Sequence, residues 1–461
     1  MHKPVSKIRE AKLALYRKKG KIHAKAVDGR FNSLRWAMVW FTQAIFYGTC
    51  WLSWESNGAT RQAILFDIAH EKLYLFDLVL WPQDALLLAL VLIFAATALF
   101  FVTALAGRLF CGFACPQTIY TMIFVWIESK VEGDHLARLK LDQASFSGRK
   151  LLLKAVKHGL WVLVAIWTAI TFVGYFTPIR ELLPTVFSFE TGPWEAFWLF
   201  FYAAFTYVQA GLAREAVCQH MCPYSRFQGV MFDPTTANVS YDQRRGEPRS
   251  GGGDCIDCGI CVQVCPTGID IREGLQLACI NCGLCIDACD QVMAKISAPS
   301  GLIRFASDQE LAGLGAPTRW RSRPRVVLYG ALLLIFAGIF MSTVSFRSLV
   351  LLDVMRDRGA LLRETADGRI ENAYTLKLMN RDQLPHQFSL SVRGLPGLEI
   401  VGQKDFLAEP GSIQPVSITV SLPEEGMPTG IQTIYFEILA KDSPAIRTEE
   451  KSSFALPRAG S

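Results

Sequence analysis

The sequence has no glycine-rich nucleotide loop and no C-x-x-C-H haem-attachment motif, which argues against a nucleotide-binding fold and against covalent c-type haem. Histidine is scarce, at seven in 461 residues. His70, His135 and His158 stand singly, without a second histidine one turn away, and read as ordinary solvated or interfacial residues. The thirteen cysteines are not scattered in pairs as a disulfide framework would be. They cluster tightly, which points to metal sites and a reducing compartment. No cleavable signal peptide is expected, because a long basic stretch precedes the first apolar run after Arg35. The net charge of +6 is concentrated in particular loops, so it reports membrane orientation and gives no sign of a nucleic-acid partner.

What is present is long apolar runs. Five segments approach the ~20 residues that a bilayer core demands of a helix: Leu34–Trp54, Asp84–Ala106, Gly159–Phe176, Trp194–Ala213 and Val326–Phe346. The stretch after Cys115 is short and meets Glu128 and Lys130 early, so it is expected to be an interfacial or re-entrant helix. Residues 1–35 hold eleven Lys and Arg, residues 108–157 eight and residues 214–325 twelve, whereas the alternate short loops 55–83 and 177–193 hold two and one. The positive-inside rule then places the N-terminus and both long loops in the cytoplasm and the tail after Arg347 on the other side. The expected location is a bacterial inner membrane, crossed several times. "CGFACP" and "CQHMCP" form an internal parallel repeat displaced by 107 residues. "RRGEPRSGGGD" before Cys255 reads as a flexible tether. After Arg347, "AYTLKLMN", "HQFSLSV", "SITVSL" and "TIYFEILA" alternate or are β-rich between turn signals, as in a small β-sandwich. That region has no cysteine and one histidine, His386. Its plainest reading is a docking or structural module.

Cys255, Cys258, Cys261 and Cys265 follow C-x2-C-x2-C-x3-C, and Cys279, Cys282, Cys285 and Cys289 repeat it. This is two-cluster ferredoxin spacing, in which the fourth cysteine of each run crosses over. Cys255, Cys258, Cys261 and Cys289 are therefore assigned to one [4Fe–4S] cluster, and Cys279, Cys282, Cys285 and Cys265 to the other. A zinc ribbon uses longer separations between its C-x2-C knuckles. Asp290 stands where the motif usually has proline. On a helix, C-x3-C puts both sulfurs on one face. Cys111, Cys115, Cys218 and Cys222 could thus offer four soft ligands, of the kind that select Cu(I), zinc or iron–sulfur centres. Pro116 and Pro223 are expected to end or kink the preceding helices. His220 and Met221 are further copper-compatible candidates. The competing readings are structural zinc and helix packing, and Cys50 reads as a small buried apolar residue.

The strings "GRFNSLRW", "RQAILFDI", "LWPQD", "GRLFCGFACPQT", "CQHMCPYSRFQ", "CPTGIDIREGLQ", "CIDACD" and "GLIRF" resemble the cytochrome c oxidase accessory family CcoG, also called FixG or RdxA. The similarity covers nearly the whole chain, and "TCWLSW" departs from it at Cys50. The resemblance implies a five-helix transmembrane α bundle with an inserted cytoplasmic ferredoxin-like domain and a C-terminal periplasmic immunoglobulin-like β-sandwich. The domain boundaries follow as 1–33 (basic segment), 34–240 (four helices in two hairpin repeats), 241–325 (ferredoxin-like domain and linker), 326–346 (fifth helix) and 347–461 (β domain). It also implies cupric reduction, Cu(II) to Cu(I), for a cbb3-type oxidase, with the C-x3-C-P cysteines implicated. The implied partners are oxidase subunits or copper chaperones, an unidentified cytoplasmic electron donor, and a second copy of the chain if the four thiols meet across a homodimer. Two other functions fit the same features: a quinol-linked membrane ferredoxin of the NapH or NosR type, and a non-catalytic assembly factor.

Overall fold

The computed structural model describes residues 22–56, 59–249, 251–315, 323–357, 362–382, 384–423 and 430–457. Residues 1–21 of the expected basic segment lie outside the described residues. Contacts divide the chain into two compact units, Met1–Cys50 with Leu92–Phe336, and Trp51–Val91 with Ala337–Ser461.

The chain opens with α1 (Arg30–Thr49). The expected short loop from 55 to 83 is instead built of strands. β1 (Ser53–Ser56) pairs with β2 (Ala59–Gln62), and β3 (Ile64–Asp67), β4 (Lys72–Leu75) and β5 (Leu78–Leu80) form a second antiparallel sheet. These strands are too short to show a clear period of two, so the sequence pattern passes over them. Helices α2 (Ala85–Ala106), α3 (Leu109–Phe113), α4 (Pro116–Glu132), α5 (His135–Gln143), α6 (Gly148–Val173), α7 (Ile179–Ser188) and α8 (Pro193–Thr206) follow, so the expected loop 177–193 contains a helix. Two π-helical turns, Tyr207–Ala213 and Val217–Met221, lead to α9 (Pro223–Met231).

Five helical stretches are long and apolar enough to cross a membrane by length and composition: Pro82–Ala106, Leu109–Glu132, Gly148–Val173, Pro193–Ala213 and Pro324–Ser345. By this measure the stretch through α4 qualifies, and α1, with Arg30, Asn32, Ser33 and Arg35 in its first turns, does not. The third stretch is also longer than the apolar run suggests. Ser147 Oγ caps α6 by accepting from Lys150 N at 3.3 Å. Lys154 and Lys157 do not stop the helix, because Lys154 Nζ lies 2.9 Å and Lys157 Nζ 3.0 Å from Glu132 Oε1.

In the first unit, β6 (Asn238–Tyr241) pairs antiparallel with β7 (Ile303–Ala306), from Asn238↔Ala306 to Tyr241↔Ile303. Between them run α10 (Gln243–Gly246), α11 (Ile260–Gln263) and α12 (Leu284–Lys295). The expected tether is anchored: Arg245 donates from Nη2 to Pro299 O at 2.8 Å and from Nη1 to Ser300 O at 3.1 Å. A short α13 (Asp308–Leu311) precedes α14 (Pro324–Ser345).

The second unit holds a two-layer β-sandwich. Its strands are β8 (Val350–Arg356), β9 (Arg363–Glu364), β10 (Arg369–Asn380), β11 (His386–Arg393), β12 (Glu399–Val401), β13 (Asp405–Ala408), β14 (Ile413–Pro423), β15 (Ile431–Ala440) and β16 (Arg447–Ala455). One sheet runs β12-β14-β10-β8 with β9 beside β10, and the other β13-β11-β15-β16. Alternate residues of β10, among them Tyr374, Leu376 and Leu378, meet Phe388, Phe436 and Phe454 in a shared core. This is the period-two burial expected of sheet packed on sheet. In the same unit, Asp84 before α2 pairs with Arg347 and Arg381.

Candidate redox site

The two cysteine runs fold alike. In C-I-D-C-G and C-I-N-C-G, Asp257 (φ 55°) and Asn281 (φ 52°) take the left-handed region, as do Gly259 (φ 66°) and Gly283 (φ 76°). Asx and Gly are the residues that enter that region at least cost. Each Gly is the N-cap residue of a short helix, α11 or α12, so three cysteines wrap one loop. Asn281 Nδ2 donates to Asn238 Oδ1 at 2.9 Å, tying the second loop to β6.

Two cavities lie inside these loops. One is lined by Cys255, Cys258, Cys261 and Cys289. The other is lined by Cys265, Cys279, Cys282 and Cys285, with Cys261 touching both. The fourth cysteine of each run thus faces the first three of the other. Burial pushes the Cys279 and Cys289 thiols up to about 12 and Cys261 to about 11, so these sulfurs carry negative charge only beside a compensating cation. Apolar walls and a set of four soft donors suit an iron–sulfur centre, whose irons supply that charge. Asp290, in place of proline, accepts from Gly301 N at 2.8 Å and so anchors the turn before β7.

The thiol pairs depart from expectation. Cys111 lies in α3, but Cys115 is extended (φ −65°, ψ 127°) and caps α4; Cys218 lies in a π turn, and Cys222 (φ −76°, ψ 112°) caps α9. Neither pair sits on one helix face. Pro116 and Pro223 begin the next helix instead of ending the last: proline pushes the residue before it out of the helical region and is preorganised for the first helical position. The four thiols share a neighbourhood, and Cys115 and Cys222, together with burial, push Cys218 up to about 11. Among the described residues, however, no group of three or more His, Cys, Asp or Glu side chains is placed to hold a single metal ion. His220 and Met221 are exposed. Cys50 is buried, its Sγ 3.3 Å from Tyr47 O.

Cys111 packs against the buried cluster of Val264, Ile280, Cys282, Leu284 and Ala288, of which Ile280, Cys282 and Leu284 also line the second cysteine cavity. Gly112 permits that approach, since a Cβ there would stand 2.7 Å from Ile280 O and 3.0 Å from Cys282 Cα. Two buried arginines join them. Arg35 Nε donates to Gly112 O at 3.1 Å, and Arg108 Nη1 to Leu277 O and to Cys279 O, the latter at 3.4 Å. Cys111 Sγ donates to Gln228 Oε1 at 3.3 Å. Sequence reasoning missed these residues, although Gly112 inside C-G-F-A-C was visible. It also took Glu128 as a mark against a span. Glu128 is wholly buried, with Arg214 Nη2 2.6 Å from its Oε2, and Arg138 and Lys157 each at 3.8 Å. His158, expected to be solvated or interfacial, is half-buried and bonds Tyr207 Oη through Nδ1 at 2.8 Å.

Comparison with known proteins gives a consistent result. A family model described as a 4Fe-4S dicluster domain matches residues 213–308, a 4Fe-4S binding domain residues 88–132, and an IG-like fold at the C-terminal of FixG residues 340–457. The nitrogen fixation protein FixG of Rhizobium meliloti is 34% identical over 497 residues, covering 96% of this chain and 94% of that one. Protein RdxA of Cereibacter sphaeroides is 37% identical over 399 residues, covering 83% and 84%. A FixG-related crystal structure from Vibrio parahaemolyticus matches at 26% identity and a TM-score of 0.22, covering 24% of this chain and 97% of that one.

Proposed function

The chain belongs to the FixG/RdxA family, and from that premise we propose that this iron–sulfur electron-transfer protein reduces Cu(II) to Cu(I) in support of cbb3-type cytochrome oxidase assembly. Cys255, Cys258, Cys261 and Cys289 hold one [4Fe–4S] cluster, and Cys265, Cys279, Cys282 and Cys285 the other. When bound, the two clusters supply one-electron carriers, matched to the single electron that separates Cu(II) from Cu(I). The observation that carries this reading is the packing of Cys111 on the wall of the second cavity. It sets the Cys111 sulfur against Ile280, Cys282 and Leu284, which line that cavity.

The remaining steps belong to the chain's own residues. Cys111, Cys115, Cys218 and Cys222 receive copper as substrate, and soft thiolates favour the reduced product. Gly112 lets α3 approach the Ile280–Cys282 backbone, and Arg108 holds that loop by its carbonyls. The loop charges place the ferredoxin-like region in the cytoplasm and the β-sandwich in the periplasm of a bacterial inner membrane.

The test is the double variant Cys111→Ser, Cys218→Ser in anaerobically purified protein. Cupric reduction by dithionite-reduced protein should fall to background while the iron content and the cluster EPR signal persist. Unchanged reduction would remove the thiols from the mechanism.

A further inference from the structure

The unit that carries the cysteines holds a third and larger cavity, of about 410 Å³. One wall is a face of α4 from Gln117 to Lys130, about 20 Å of helix at 1.5 Å per residue. Residues 22–28 and the start of α1 form another wall, and residues 264–284 a third. The cavity shares Pro266, Thr267, Ile280 and Leu284 with the second cysteine-lined cavity, and Cys218 also lines it. A molecule seated there would touch the shell of one cluster and one thiol of the repeat.

The lining restricts what that molecule is. Lys25, Arg35, Lys130, Arg138 and Arg214 line it with two carboxylates, Asp28 and Glu215, and Glu128 pairs with Arg214 and Arg138 from behind; the positive charge left over favours an oxygen-rich neutral or anionic occupant over a free cation. Trp36 and Trp126, their rings 6.2 Å apart at 71°, offer flat apolar surface. Arg138 is 2% exposed, and its Nε and Nη1 have no hydrogen-bond partner, although Nη1 stands 3.8 Å from Glu128 Oε2. Buried N–H groups of this kind call for an oxygen acceptor. The occupant therefore has a flat ring, ring oxygens and an apolar tail long enough to follow α4, and it lies on a helix apolar enough to cross a membrane.

We propose that this cavity binds a membrane quinol and that the quinol is the electron donor to the clusters. The proposal rests on the electron-transfer reading above and supplies its missing donor. Oxidation of one quinol to quinone releases two electrons and two protons. The electrons pass singly to the two centres held by the eight cysteines, and the protons leave past the Glu215 carboxylate. Arg108, buried and donating from Nη1 to Cys279 O at 3.4 Å, sets a positive charge beside the nearer centre and would favour its reduced state.

The experiment uses the full cluster-loaded chain in detergent and two probes. A heptyl hydroxyquinoline N-oxide reports binding by saturable fluorescence quenching, and duroquinol reports reduction by bleaching of the cluster absorbance. Both signals are expected in the unsubstituted protein. Thr121→Phe, which places a ring in the cavity, should weaken the N-oxide at least about tenfold and slow the bleaching, with iron content and helical circular dichroism unchanged. The absence of saturable quenching in the unsubstituted protein overturns the proposal, as does quenching unaltered by Thr121→Phe. Displacement by a fatty acid without duroquinol bleaching also overturns it, and would mark a lipid seat. Reoxidation of the dithionite-reduced protein by Cu(II) is measured in parallel. Copper reoxidation without quinol bleaching defeats this inference alone, and bleaching without copper reoxidation defeats only the copper reading.

Discussion

At the scale of single residues, His386 shows how far composition carries. It is the one histidine after Arg347, yet it is not a surface feature: it is 4% exposed, with Nε2 2.9 Å from Asp382 Oδ2 and Nδ1 2.5 Å from Asp442 Oδ2. Burial opposes its charge, but the two carboxylates prevail and raise its pKa above the usual histidine value. A raised folded pKa contributes stability that is complete below the unfolded value of ~6.5 and is lost as pH rises through the folded one. Calorimetry of the full chain should therefore show the β-sandwich melting lower as pH rises from about 6 to about 9. His386→Gln should lower the melting point at the acid end and flatten the dependence. A variant that keeps the full slope would assign it elsewhere. The cysteines were legible from spacing alone. The left-handed backbone at Asp257, Gly259, Asn281 and Gly283 was not, because a residue type permits that conformation without requiring it.

At the scale of elements, charge on a helix misleads when its partner is distant in sequence. Glu128 and Lys130 make α4 look polar from its sequence, although its stretch is apolar enough to cross a membrane by length and composition. Lys130 is exposed, but Glu128 is neutralised by Arg214, Arg138 and Lys157 from three other elements, while Trp161 stacks on Phe124 at 5.2 Å. Removing one member leaves the others charged and buried, so Glu128→Ala should cost about 3–5 kcal/mol, read as an earlier thermal melt in detergent. Lys130→Ala should stay within about 0.5 kcal/mol. Equal effects would mean that the network holds nothing together. The same limit hid the cap of α1. The helix has no side-chain cap of its own, and Asp287 of α12 accepts from Phe31 N at 3.2 Å and Asn32 N at 2.8 Å. In the C-x3-C-P repeats the spacing suggested a continuous helix, but proline restricts the cysteine before it and breaks the turn.

At the scale of the whole molecule, loop charge yields a sidedness that can be checked directly. Ser300→Cys and Lys441→Cys, both exposed, are labelled with a membrane-impermeant maleimide in intact spheroplasts, with the unsubstituted chain as background. Lys441→Cys should react and Ser300→Cys should react only after lysis. The reverse pattern would invert the proposed topology, and equal reaction would refute it. The sequence alone determined the cysteine spacing, the apolar runs, the repeat and the alternating strands, because each is a local period that one segment carries by itself. Tertiary structure decided that Cys111 meets Ile280 and Cys282, that Gly112 makes room for them, that Asp287 caps α1 and that Glu128 is paired. Each of these joins residues far apart in the chain, and the burial and partner that set a side chain's charge and contacts exist only once the chain has folded.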